Sequence, residues 1–305
     1  MGDRTAISWT EATWNPVTGC TEVSEGCDHC YARSVAHRFA GTPAYPRGFE
    51  VTLRPERLDQ PLRWRRPRMI FVNSMSDLFH AQIPDGMIAQ VFAVMALAPT
   101  HTFQILTKRP ARMRSLLTSP AFRWQVWHHM LSLTHNRSLP MPAEHATALS
   151  WPLPNAWMGV SVETQKWADI RIPILLATPA RIRFLSMEPL LAPVTLSSWT
   201  LLTPQLHWVI VGGESGPGAR RMDPQWALDL AQECRAAGVA FFMKQTGSVL
   251  AREWGIPGKG EDPTRWPAPL PQQRPGPAAI AGVTFDLQLL RENPRAFEAA
   301  LALPT

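Results

Sequence analysis

Residues 69–110 read MIFVNSMSDLFHAQIPDGMIAQVFAVMALAPTHTFQILTKRP, and this stretch decides the fold. It opens on MIFVN (69–73), a short apolar run of the kind found in strands buried on both faces. A polar break follows, then Pro84 and a helical pattern over 85–98, with Asp85 as the predicted N-cap. The next run, TFQIL (102–106), is again short and strongly apolar. Strand, helix-length connection and strand form one crossover unit, which belongs to a parallel sheet.

The same alternation continues towards the C-terminus. AWMGVSV (156–162), IRFL (182–185), HWVIV (207–211) and VAFFM (239–243) read as further buried strands. Helices are predicted between them over 111–117, 164–177 and 224–237, the last bracketed by Asp223 and Gly238. About six alternations predict an α/β protein whose parallel sheet is open or closed into a partial or complete (β/α) barrel. The barrel-like domain is expected over 1–250. The Pro-rich segment from 251 is expected to be irregular, with a C-terminal helix over 285–303 packing back on the body.

Every predicted strand ends in polar residues. They are Ser74, Ser76 and Asp77; Thr107, Lys108 and Arg109; Ser161 and Glu163; Ser186 and Glu188; Gly212, Gly213 and Glu214; Lys244 and Gln245. A parallel sheet brings all these ends to one face, where ligands bind. Six polar ends on one rim point to an active site.

Composition bounds the function classes. Of 305 residues, 45% are hydrophobic and 18% charged, which excludes a disordered chain. The longest apolar stretches, 91–98 and 208–213, fall far short of the roughly 20 residues of a membrane span. Asp3 and Arg4 are followed by no apolar signal core, so a cytoplasmic protein without membrane contact is expected. The net charge is +6, which invites a nucleic-acid partner. However, an arginine excess beside 30 prolines equally suits a G+C-rich coding sequence. The run Arg63, Arg65, Arg66 and Arg68 around Trp64 reads either as a stacking, phosphate-binding segment or as a solvated surface.

Three of the four cysteines fall close together: Cys20, Cys27 and Cys30, spaced Cys-x6-Cys-x2-Cys. Asn15, Pro16, Gly19 and Gly26 mark a turn-rich loop around them. Cys234 sits in an amphipathic helical stretch and reads as a buried side chain. Zinc would need a fourth ligand, for which His29, His37 and His80 are the candidates. A 4Fe-4S cluster on three thiolates would instead leave one iron open for an exogenous ligand such as S-adenosylmethionine. Cluster, zinc and metal-free thiols all remain readings of this spacing.

The segment ISWTEATWNPVTGCTEVSEGCDHCYA, with FVNSMSDLFH, LTKRP, GVSVE, LSMEPLL, VIVGGESG and FMKQTG, resembles an uncharacterised three-cysteine family of phages and bacteria. That family is similar to divergent radical S-adenosylmethionine proteins. The resemblance runs from about residue 5 to 247. The first cysteine gap is six residues, where the larger superfamily has three.

The resemblance implies a radical-enzyme barrel with Cys20, Cys27 and Cys30 as cluster ligands and an external electron donor. It places His29 near the adenine of the cofactor. Gly212, Gly213 and Glu214 look like the Gly-Gly-Glu motif that holds the methionine amino group, with Ser74 and Asp77 competing for that task. Glu163 would contact the ribose and Lys108 the carboxylate. The resemblance names no substrate, and a nucleic acid or nucleotide-like molecule is one candidate beside a peptide or a small molecule. The alternative is a nucleic-acid-binding or phage accessory protein with a structural metal site.

Overall fold

Alternate residues of a strand face opposite ways, and here both sets are apolar, so both faces of the sheet are buried. The computed structural model describes residues 5–145, 148–196 and 205–276. The helix predicted over 285–303 lies outside the described residues.

Seven strands form one parallel sheet: β1 (Ala12–Trp14), β4 (Met69–Val72), β5 (Thr102–Thr107), β6 (Ala156–Ser161), β7 (Ile182–Met187), β8 (Trp208–Gly212) and β9 (Ala240–Gln245). They lie side by side in chain order and curl into a half-barrel with β1 and β9 at its edges. A small antiparallel pair, β2 (Val17–Thr18) and β3 (Thr52–Leu53), flanks the start. The described helices are α1 (Tyr31–Arg38), α2 (Asp85–Ala96), α3 (Pro110–Thr118), α4 (Pro120–Arg137), α5 (Gln165–Leu176), α6 (Pro224–Ala237) and α7 (Ser248–Glu253). The expected α/β barrel-like fold is thus present in its partial form.

Local signals explain the helix ends. The Asp223 carboxylate accepts from the Gln225 amide at 2.9 Å, and Gly238 closes α6 with φ 69°. Asp85 is the first helical residue of α2, with Pro84 taking the N-cap position. Thr164 occupies the N-cap of α5 without capping it.

The outer face carries Ile70, Val72, Phe103, Ile105, Val209 and Val211, which pack against the helices in the main core. The inner face carries a second core of Phe71, Trp157, Phe184, Trp208 and Phe242, joined by Trp9. Trp208 is its hub, with ring centroids of Trp9, Trp157, Phe184 and Phe242 all 5.9–6.1 Å away. These rings fill the half-barrel below the cavity whose floor Trp9 and Phe71 form. Trp14 packs on the outer face against Phe103 instead.

The segment after 250 is irregular yet tied down. The Met243 amide donates to the Pro271 carbonyl at 2.9 Å, and the Gln273 amide to the Phe241 carbonyl at 2.8 Å, covering the β9 edge. Arg274 then reaches the Ser8 carbonyl at 2.7 Å, crossing the open side of the half-barrel towards β1.

Candidate functional site

A cavity of about 440 Å³ lies at the C-terminal ends of the strands. Trp9, Phe71 and Leu106 form its apolar floor, and Cys20, Cys27 and Cys30 all line it from the loop that follows β2. The polar strand ends thus meet on one rim, as the alternation predicts.

The thiol loop is fastened from three sides. Arg109, at the end of β5, donates to the Thr21 carbonyl and hydroxyl at 3.0 Å each and lies 3.5 Å from Cys20 Sγ. The Ser24 hydroxyl donates to Glu163 Oε1 at 3.0 Å. Arg220 donates to the Glu25 carbonyl at 2.7 Å and to Asp28 at 3.0 Å, while holding Glu214. Glu25 in turn accepts from the Trp167 indole at 2.8 Å. Cys30 is the N-cap of α1, so the last thiol sits at the helix N-terminus.

Three cations lie beneath the loop. Lys108 and Arg171 both contact Glu163, and Arg109 contacts Asp77, giving three cations to two carboxylates. Burial lowers the Lys108 ammonium, and it brings the Arg171 guanidinium down to about 10. Two further nitrogens of Arg171, Nε and Nη2, are buried without a hydrogen-bond partner. Glu25 is a further carboxylate within electrostatic reach of Arg171, and the cations stand beside the thiols, Arg109 against Cys20 and Lys108 near Cys27 and Cys30.

The family described as "Protein of unknown function (DUF5131)" matches residues 4–294. The chain belongs to the DUF5131 family. No curated protein and no solved structure matches it. Membership of an uncharacterised family, the coarser part of what the motifs imply, is therefore met.

In this DUF5131 chain the carboxylates named by the sequence are committed to protein partners. Asp77 lines the cavity, but Oδ1 accepts from Thr107 and Phe79, and Oδ2 from the Lys108 amide and Arg109, at 2.7–3.1 Å. Glu163 is fully buried, covered by Gly26, and both its oxygens are occupied. A side chain on Gly26 would collide with the Glu163 carboxyl, so this approach requires glycine. Glu163 is absent from the cavity lining, and through Ser24 it is tied to the thiol loop. The Lys108 ammonium is turned to Glu163.

Glu214 accepts from Arg220 Nε at 2.9 Å, Nη2 at 2.6 Å and the Arg220 amide at 2.7 Å, with His29 Nδ1 at 3.1 Å. Gly213 packs so closely on the Thr246 carbonyl that no side chain fits, and its amide donates to Gln245. The Gly212-Gly213-Glu214 triplet is therefore built into the barrel end. Ser74 exchanges its hydroxyl with Asn15, at 3.1 and 3.3 Å.

Burial alone would raise the Glu214 carboxyl, but the Arg220 and His29 contacts outweigh it and hold it at about 2. A depressed value stabilises the fold above the ordinary carboxylate range and is lost as pH falls through the folded value. Glu214→Gln is accordingly expected to cost up to about 3 kcal/mol at pH 7. The gap to the parent should narrow between pH 4.5 and 2, as followed by urea titration.

Sequence reasoning missed Asn73. It ends β4 in a left-handed conformation, φ 59°, is 2% exposed, and lines the cavity with both amide atoms unpartnered. Its only signal was its place after MIFV. Tyr31 was also passed over. It lines the cavity, its hydroxyl donates to the Ser74 carbonyl at 2.6 Å, and burial raises the phenol. Cys234 is the buried thiol expected, with burial pushing it up to about 12.

Among the described residues no three His, Cys, Asp or Glu side chains are grouped so as to hold a metal ion. The three thiols share one cavity without converging as a single zinc would need. His80 Nε2 is 2.8 Å from the Thr21 hydroxyl, and His29 faces Glu214.

Proposed function

We propose that the protein is a radical S-adenosylmethionine-type enzyme in which Cys20, Cys27 and Cys30 hold a 4Fe-4S cluster. One observation carries this reading: three thiols and the cations Lys108 and Arg109 wall one cavity at the strand ends. Three thiolates suit those cations, and a four-iron cluster accepts more widely spaced donors than one ion does. When bound and reduced by an external donor, the cluster supplies the electron that cleaves S-adenosylmethionine and so opens hydrogen-abstraction chemistry.

The chain's own tasks are positioning and exclusion of water. Arg109, Glu163 and Arg220 hold the loop, and the aromatic floor keeps the reaction space dry. Asn73, Ser161 and Ser186 line the cavity and offer polar atoms for the nucleoside part of the cofactor. The run Arg63–Arg68 stands at the opposite end of β4 from this cavity. There Trp64 packs on the core and against His101, and Arg63 pairs with Asp59 at 2.6 Å. Nothing in that arrangement favours the nucleic-acid reading over the enzymatic one.

Anaerobic reconstitution tests the proposal. Four iron and four sulfide per chain, a reduced-cluster paramagnetic signal and release of 5′-deoxyadenosine are expected. A protein that loads and reduces its cluster yet never cleaves the cofactor overturns it.

A further inference from the structure

Of the three thiols that line the cavity, Cys20 alone is touched by a fixed cation among the described residues. Arg109 Nη1 lies 3.5 Å from its sulfur, and Arg109 lines the same cavity. Lys108, one residue earlier, acts on Cys27 and Cys30 only through space, because its ammonium is turned to Glu163. The three sulfurs therefore have unequal surroundings, and one side chain makes the difference.

That side chain is fixed at both ends. The Arg109 amide donates to Thr107 Oγ1 at 2.8 Å, and the Thr107 hydroxyl donates to Asp77 Oδ1 at 2.7 Å. Asp77 Oδ2 accepts from Arg109 Nη1 at 3.1 Å, which closes a circuit between the β5 end and the segment after β4. Nη2 is spent on the Thr21 carbonyl and hydroxyl, at 3.0 Å each. Three oxygens thus fix the plane of the guanidinium. Fastening the loop needs only Nη2, so the approach of Nη1 to sulfur is left over from that task.

A cation at a sulfur bears on electron transfer. Reduction adds one negative charge to an iron-sulfur cluster, and the potential follows net charge and hydrogen bonds at the sulfurs. A positive N–H donor at one ligand sulfur stabilises the reduced form more than the oxidised. The Arg109 side chain is 17% exposed, so salt and water screen this little.

We infer that Arg109 is a positioning residue which, through Cys20, makes the cluster easier for its external donor to reduce. Asp77 aims the guanidinium instead of meeting a ligand. The inference rests on the proposed cluster but not on cleavage of the cofactor.

Iron and sulfide analysis of the anaerobically reconstituted full chain comes first. A parent without a cluster overturns the reading of the site, and this inference with it. Redox titration followed by electron paramagnetic resonance then compares the parent with Arg109→Gln, Arg109→Lys and Thr21→Val. Circular dichroism melting confirms that they fold. Arg109→Gln is expected to make reduction about tenfold less favourable, a potential about 60 mV lower for one electron. Arg109→Lys keeps the charge but loses the fork, and should fall between. Thr21→Val removes one anchor and leaves the sulfur contact, so its potential should match the parent's. In parent protein carrying nitrogen-15 in its arginine side chains, pulsed resonance of the reduced cluster should show a nitrogen coupling that Arg109→Lys abolishes. Equal potentials in parent and Arg109→Gln, or an equal shift in Thr21→Val, would refute the role of Arg109 while leaving the cluster in place. So would a labelled parent without the coupling, or a coupling that survives in Arg109→Lys. Loss of the cluster from both Arg109 variants would make Arg109 a requirement for loading and would equally refute the tuning role.

Discussion

Cys27→Ala is expected to leave the iron-free protein as stable as the parent, within about 0.5 kcal/mol, while abolishing its retention of a cluster. The first half follows from how the loop is held. Its turns close through main-chain bonds, such as the Cys27 amide to the Ser24 carbonyl at 2.8 Å, which an alanine keeps. Its outer anchors are Arg109 on Thr21, Glu163 on Ser24 and Arg220 on Glu25 and Asp28, none of which uses a thiol of Cys27. The loop therefore has its shape before metal arrives. That separates it from small structural zinc sites, where metal binding and folding are one event. The second half follows from ligand number, since three thiolates are the whole protein-derived set under the proposed reading. Urea midpoints of the iron-free proteins and iron per chain after reconstitution measure the two halves. A variant that still retains four irons would remove Cys27 from the ligand set. A parent that unfolds when stripped of metal would show that the anchors do not suffice.

The barrel was legible because its strands are short, apolar on both faces and separated by helix-length runs. Six of the seven strands fall where the pattern of 69–110, repeated along the chain, places them. β1 was not legible: Ala12–Trp14 is three residues in a polar setting, and only its pairing with β4 makes it a strand. The length of α4 was hidden for a related reason. Its buried residues are only Phe122, Val126 and Met130, on a helix whose other faces carry tryptophan and histidine among polar groups.

At the site, residue types were readable and their partners were not. Asp77, Glu163 and Glu214 look alike in sequence as acids after strands. What distinguishes their roles is which cations reach them, and Lys108 reaches Glu163 and Arg109 reaches Asp77 only in the folded chain. Asn73 is the converse case. It reads as the last residue of a strand, and its unpartnered amide exists only because the surrounding strands leave it facing the cavity.

Glu163→Ala is expected to destabilise the fold by about 3–5 kcal/mol, among the largest effects available from one side chain in this protein. The carboxylate is fully buried and is contacted by Lys108 and Arg171, the latter at 2.9 Å and itself without exposed surface. Removing it leaves Arg171 fully buried and Lys108 largely buried without their counter-charge, and Arg171 already has two unpartnered nitrogens. Stacking of Arg171 on Trp167, with its guanidinium 4.0 Å from the ring centroid, softens this cost without cancelling charge. The loss of the Ser24 contact adds a second consequence, because one anchor of the thiol loop disappears with the carboxylate. Hydrogen exchange over residues 20–30 should therefore rise in Glu163→Ala even where the barrel strands stay protected. Adding Lys108→Met and Arg171→Met to Glu163→Ala should restore most of the stability, since it removes the stranded cations, but not the loop protection. Urea unfolding of the single and triple variants separates the two terms. A single variant as stable as the parent would mean that Glu163 is not the counter-charge of this buried cluster.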